Sequence, residues 1–244
     1  MKGKLIVIDG TDGSGKATQT KLLVEKLRKE GYDVELIEFP QFGQKSAALI
    51  EEYLNGSYGP AKEVGPYRAS IFYACDRYAA SFKIREWLKE EKIVICNRYM
   101  SSNIGHQAGK IKDKKKRDKF LEWLKDLEFD LFNIPKPNIN ILLYIPPRVG
   151  QDLVEQKLQT TISLFEHQDY KNKLSKQKDS RKYIVKGAKD IHESDIDHLK
   201  DAAAAYKYAA KKYSWPIIDC APGNKLKTRE EIHKLIWDKI KNTL

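Results

Sequence analysis

Five short apolar segments alternate along the chain with longer stretches whose apolar residues recur at helical spacing. The short ones are Lys4–Asp9, Asp33–Phe39, Lys92–Asn97, Asn138–Ile145 and Trp215–Asp219. Each is rich in Ile, Val, Leu or aromatic residues, as strands covered on both faces of a parallel sheet require. The amphipathic stretches Thr18–Glu30, Ser46–Leu54, Pro66–Lys89, Lys114–Leu127, Gly150–Glu166 and His192–Tyr213 predict helices, and the last contains the helix-favouring run Ala202–Ala205. This alternation predicts an α/β fold: a five-stranded parallel sheet with right-handed crossovers and helices on both faces, three layers in all. Asn55–Pro66 holds three glycines and two prolines and predicts a loop. Tyr170–Asp190 has no clean period and is crowded with Lys and Arg, which suits a flap.

Composition narrows the class. With 244 residues, 41% apolar and 32% charged, the chain is expected to fold as one globular domain over 1–244. The longest apolar runs, Leu5–Ile8 and Ile141–Ile145, are too short to span a bilayer, and no charged-then-apolar leader opens the sequence, so a cytoplasmic protein is expected. Cys75, Cys96 and Cys220 are widely spaced and read as small buried thiols, not a disulfide or zinc framework. The net charge of +11 fits either a nucleic-acid binder or an enzyme for multiply charged phosphates. Much of it lies in Lys110–Lys119 and Lys171–Lys189, without the interleaved aromatics that stack bases, so nucleic acid is not the expected partner.

The chemistry enters with Gly10-Thr11-Asp12-Gly13-Ser14-Gly15-Lys16-Ala17-Thr18, between the first predicted strand and the first predicted helix. Gly10, Gly15 and Lys16 meet the G-x-x-x-x-G-K spacing of a phosphate-binding loop. Glycines let backbone N–H groups curl around an anion, the helix N-terminus adds partial positive charge, and Lys16 reaches the β- and γ-phosphates. The position after Lys16 is Ala17, so the hydroxyl that usually ligates Mg2+ is missing and the metal must find oxygens elsewhere. The expected architecture is therefore a P-loop NTPase fold with ATP as a substrate.

Further motifs follow in order: Phe39-Pro40, Ala74–Arg77, Asn97–Asn103, Gly105–Gly109 and Lys189–Glu193. The ordered set resembles the thymidylate kinase family, and the resemblance covers nearly the whole chain. It implies phosphorylation of dTMP to dTDP with Mg2+-ATP in dTTP biosynthesis, and a homodimer formed by helices away from the active site. Asp12 would face the acceptor sugar 3′-hydroxyl and the metal, Arg98 would grip the acceptor phosphate, and Arg77 would contact the thymine edge. Tyr73, one helical turn from Arg77, would stack on the base; a core aromatic is the plainer alternative. Asn103 and Gln107 carry amides suited to a pyrimidine edge, and His106 would lie near the sugar 2′-carbon. A basic lid at about 170–190 would close over the phosphates with Arg181, Lys182, Lys186 or Lys189, of which Arg181 is favoured. Asp190 and Glu193 suit a helix start, and Glu193 would supply a second metal carboxylate beside Asp12.

Two positions depart from the family pattern. Asn97 stands where an Asp is usual, and Phe42 occupies the acceptor-site position that commonly holds an arginine, with Lys45 nearby as a substitute. Tyr73, Asn103 and Gln107 suit dTMP and dUMP alike. Another nucleoside or nucleoside-monophosphate kinase of this fold, or a nucleic-acid-linked P-loop ATPase, is the alternative; the arginines Arg77 and Arg98 at an acceptor pocket count against the ATPase.

Overall fold

The five apolar segments form one parallel sheet, and the computed structural model describes residues 2–165 and 196–244. The strands are β1 Lys4–Gly10, β2 Val34–Glu38, β3 Ile93–Asn97, β4 Ile139–Tyr144 and β5 Ile217–Asp219, in the order β2-β3-β1-β4-β5. β1 is central and registers Ile8 against Asn97 of β3 and Gly10 against Leu143 of β4. Its side chains alternate between two cores. Leu5 and Val7 face one layer with Ile84, Phe120 and Leu124, whereas Ile6 and Ile8 face the other with Leu23, Leu27, Ile232 and Ile236. All four strand residues are fully buried, each worth about 1.5–3 kcal/mol as an upper estimate. Burial on both faces explains the near-continuous apolar runs of β1, β3 and β4, whereas the edge strands β2 and β5 carry exposed positions such as Leu36 and Ile217.

The helices are α1 Lys16–Lys29, α2 Ala48–Leu54, α3 Ala61–Lys89, α4 Met100–His106, α5 Lys114–Lys125, α6 Pro147–Phe165, α7 Ile196–Lys212 and α8 Arg229–Ile240. α1 and α8 cover one face of the sheet, and α3, α4, α5 and α7 supply the core of the other. A π-helical turn, Asp126–Leu131, continues α5.

Three differences from the sequence reading have local causes. α3 begins at Ala61, inside the expected loop, and Gly65 at φ 75° breaks its first turn from the longer part that follows. α4 lacks an apolar stripe because it is buried nearly all round: Met100, Ser101, Asn103, Ile104 and Gly105 are all inside. α8 was not among the expected helices, although Ile232, Ile236 and Ile240 recur at four-residue spacing behind a Thr228/Glu231 capping box.

Cys96 and Cys220 are buried and Cys75 is half-buried, all as free thiols. No helix among the described residues is long and apolar enough to cross a membrane.

Candidate active site

β1 and β3 lie side by side and deliver two loops to the same edge of the sheet. From β1 comes the phosphate loop. Gly10 passes so close to β4 that a Cβ there would lie 2.0 Å from the Leu143 carbonyl oxygen, so only glycine fits. Thr11 ties the loop to β4: its Oγ1 accepts from the Ile145 N–H at 3.1 Å and donates to the Ile145 carbonyl at 3.3 Å. Gly15, at φ 83°, turns the chain into α1. Lys16 then folds back across the loop, and its Nζ donates to the carbonyls of Gly10 at 3.0 Å and Thr11 at 2.8 Å. Ser14 Oγ is buried with no partner among the described residues, while Ala17 is exposed.

From β3 comes Arg98, a non-glycine residue at φ 65°, held there by its N–H donating to the Ile8 carbonyl at 3.0 Å. Such a backbone costs on the order of 1–3 kcal/mol and persists where the surroundings fix it. Arg98 Nη2 donates to Asp12 Oδ1 at 2.7 Å, and Lys16 Nζ lies 3.8 Å from the same oxygen. Asp12 thus stands between two cations. Burial works to raise its carboxyl, but Arg98 and Lys16 outweigh burial and hold it well below the usual carboxylate range. Burial, with Arg98 nearby, lowers the Lys16 ammonium from 10.5 to about 8.

Behind Arg98 stands a histidine pair. Arg98 Nη1 is 3.3 Å from His106 Nε2, and His106 Nδ1 is 3.4 Å from Nε2 of His198 on α7. The two rings stack with centroids 5.6 Å apart, and Tyr206 meets His106 edge-on at 5.9 Å. Burial pushes His106 down to about 3, so it is neutral at physiological pH.

Sequence reasoning missed the anchor of this assembly, Asp9. Its buried carboxylate accepts from Gly10 N–H at 2.8 Å, Ser101 Oγ at 2.6 Å, Ser102 Oγ at 2.9 Å and Tyr206 OH at 2.9 Å. The signal was present: a carboxylate inside an otherwise apolar strand needs donors from elsewhere.

A second polar group lies between α3, α4 and the π turn. Arg77 is buried and forks onto Glu128, Nε to Oε2 at 2.7 Å and Nη2 to Oε1 at 2.6 Å. Asn103 Nδ2 donates to the Ser70 carbonyl at 3.2 Å and to Glu128 Oε1 at 3.4 Å. Gln107 Oε1 accepts from Lys110 Nζ at 2.7 Å, and that ammonium also donates to Tyr53 OH at 3.0 Å. Tyr73 meets Tyr53 edge-on at 6.5 Å. Phe42 packs into the small core of α2 and the start of α3, and Lys45 is exposed. Asp76 holds the segment between them, accepting from Gln41 N–H at 2.8 Å and Ser46 Oγ at 2.6 Å.

Asp12, Lys16, Arg98 and His106 are therefore brought together, and Arg77 and Asn103 form a separate buried pair joined by Glu128. Thr18 is half-buried in the first turn of α1. Arg181, Glu193 and the lid at about 170–190 lie outside the described residues. Among the described residues no cluster of three or more His, Cys, Asp or Glu could hold a metal. The oxygens that could serve a metal are those of Asp12, whose Oδ1 takes Arg98, and the Asn97 Oδ1 at the end of β3, which is buried without a partner among the described residues while its Nδ2 donates to Glu38 at 2.6 Å.

Comparison with known proteins gives the family and the fold. Residues 8–195 match the family model for thymidylate kinase. A thymidylate kinase of Mycobacterium tuberculosis is 32% identical over 142 residues, 58% of this chain and 65% of that one. A probable thymidylate kinase of Pyrococcus horikoshii is 33% identical over 167 residues, 68% of this chain and 76% of that one. The chain thus spans just under two thirds of the mycobacterial relative it matches. The solved thymidylate kinase structure from Candida albicans shares the fold, with a TM-score of 0.67 at 20% identity, covering 99% of this chain and 92% of that one.

Proposed function

The chain belongs to the thymidylate kinase family, and on that premise we propose that it transfers the γ-phosphoryl group of ATP to dTMP, giving dTDP and ADP. The observation that carries the reading is the array Lys16–Asp12–Arg98 at one sheet edge, two cations held apart by one carboxylate. A P-loop ATPase needs Lys16 and can use an arginine on the phosphates of its own nucleotide, whereas Arg98 is fixed at a strained backbone on the other side of Asp12 from Lys16. A kinase needs both, one cation for each phosphate partner.

In this reading the N–H groups of Gly10–Thr18 and Lys16 hold the β- and γ-phosphates, and Arg98 forks across the acceptor phosphate. Asp12 accepts from the acceptor sugar hydroxyl and keeps Arg98 aimed. The acceptor phosphate oxygen attacks the γ-phosphorus as the bond to the bridging oxygen breaks. That oxygen is already ionised near neutral pH, so positioning replaces a general base. Tyr73, Arg77, Asn103 and Gln107 hold the thymine, Phe42 lines the acceptor side, and His106 lies toward the sugar 2′-carbon. Arg181 and the lid at about 170–190 complete the charge around the phosphates and exclude water. Asp12 with Asn97, and Glu193 from beyond the described residues, would hold Mg2+. When bound, the ion neutralises charge on the β- and γ-oxygens. The proposal extends to a cytoplasmic homodimer serving dTTP synthesis.

The test is direct. Purified protein with Mg2+-ATP and a panel of nucleoside monophosphates should release ADP fastest with dTMP. Turnover of ATP that ignores every monophosphate would sink the kinase reading, and a clear preference for another monophosphate would sink the substrate.

A further inference from the structure

We infer that Glu128 sets the hydrogen-bond polarity of the base pocket, so that the pocket accepts a carbonyl beside an N–H and rejects an amino group beside a bare ring nitrogen. The inference rests on the acceptor being a pyrimidine nucleotide, as proposed above, and adds a residue that no motif in the sequence marked.

The argument starts from unspent hydrogen-bonding capacity. Arg77, Asn103 and Glu128 are each at least 98% buried. Buried polar groups of this kind are normally satisfied. Glu128 takes Arg77 by its Nε and Nη2 edge, so the carboxylate leaves the Nη1 edge of the guanidinium to another acceptor. The same oxygen, Oε1, also accepts from Asn103 Nδ2, and the Ser70 carbonyl takes that amide nitrogen from the other side. With both contacts on nitrogen, Asn103 turns its Oδ1 away from Glu128. One carboxylate therefore orients two neighbours. It leaves an arginine donor next to an amide acceptor.

That pair is complementary to the imide edge of thymine or uracil, which offers a carbonyl and an N–H side by side. Cytosine presents the reverse, an amino donor and a ring-nitrogen acceptor, so both contacts would oppose. Without the carboxylate only the Ser70 carbonyl holds the amide nitrogen, so Asn103 flips more readily and can read the other edge. α4 also links this group to the phosphate end, because it starts just after Arg98 and carries Asn103 and His106 on successive turns. The π turn Asp126–Leu131 that carries Glu128 is a poorer backbone arrangement than α-helix, of a kind found often at functional sites.

A simple structural role, neutralising Arg77, predicts something different: loss of Glu128 would lower activity on all acceptors together. The experiment therefore reads a ratio, kcat/KM for dTMP over kcat/KM for dCMP. Wild type should favour dTMP by at least about a thousandfold and should reject N3-methyl-dTMP, which lacks the N–H. Comparable rates on dTMP and either of those would overturn the inference without any variant. Glu128→Gln should lower the ratio at least about tenfold while the KM for ATP stays at the wild-type value. Should that variant fail to fold, Glu128→Asp keeps Arg77 paired but shortens the reach to Asn103, and a fall in the same direction is expected. A folded variant of either kind with a ratio within about twofold of wild type overturns the inference. A wild type inactive on dTMP but active on another monophosphate fails the proposed substrate instead, and that outcome is visible before any variant is made.

Discussion

Asp12 between Lys16 and Arg98 makes each cation's state depend on the other two side chains. Lys16 feels burial and the Arg98 charge, which together lower it to about 8 from 10.5, while Asp12 opposes them. Triphosphate binds the protonated form, so free protein that loses this proton must regain it on binding. Raising the pH above about 8 should therefore weaken ATP binding, by up to about tenfold per pH unit, with little change below pH 7. A KM for ATP that is flat from pH 7 to 9.5 would contradict it. Arg98 responds differently, because its charge is fixed throughout this range. Its contribution is the fork, one edge to Asp12 and the other nitrogen against His106. Arg98→Lys keeps the charge and loses the fork, so kcat should fall on the order of a hundredfold with the KM for ATP unchanged. Near-wild-type kcat would refute the role. For the metal, Glu193→Gln should raise the Mg2+ concentration needed for half-maximal rate several-fold, and an unshifted Mg2+ titration would remove Glu193 from the metal site.

At the scale of elements, α4 and α7 meet at several points, and one of them leaves no slack. Gly105 on α4 faces Tyr206, and a Cβ at Gly105 would lie 2.1 Å from the tyrosine ring. That ring is fully buried and its hydroxyl is bonded to Asp9, so it has nowhere to retreat. Gly105→Ala should cost about 1–3 kcal/mol and lower Tm by at least about 3 °C, with a larger proportional loss of kcat because Tyr206 packs on His106 behind Arg98. An unchanged melting curve would show that the junction can give. The sheet was legible from sequence because every strand is a short segment dominated by Ile, Val or Leu, and each observed strand lies within its expected segment except β1, which runs one residue further to Gly10. α4 was not, since helical periodicity appears only where one face meets water and α4 has almost no such face. The loop, Lys16 and Arg98 were legible because phosphate chemistry imposes a local spacing. Asp9, Tyr206 and Glu128 were hidden for the opposite reason. Their partners come from distant parts of the chain, as with Tyr206 and Asp9 or Arg77 and Glu128, and no local pattern marks such pairs.

At the scale of the whole molecule, α3 has two jobs on opposite faces. Inward it sends Ser70, Ala74, Arg77, Ala80 and Ile84, which build the core and one side of the pocket proposed for the base. Outward it exposes Ile71, Tyr78 and Phe82, the last 56% exposed, and at 3.6 residues per turn these fall within about 40° of one another. Tyr78 meets Phe82 edge-on at 5.3 Å and Phe132 at a tilt at 5.1 Å, and Leu131 beside Phe132 is 73% exposed. A contiguous apolar strip of this kind is costly in water and suits a second copy of the chain, the homodimer proposed above. Wild type at micromolar concentration should therefore sediment at twice the 28.2 kDa of one chain. Tyr78→Asp with Phe82→Asp places charges in the strip and should give a monomer. Because Tyr78 follows Arg77 directly, releasing the outer face of α3 also frees the helix that positions Arg77. The monomer should then show a raised KM for dTMP at an unchanged KM for ATP. Wild type that sediments as a single chain would remove the dimer, and a monomeric variant with unaltered KM for dTMP would show that the two faces of α3 act independently.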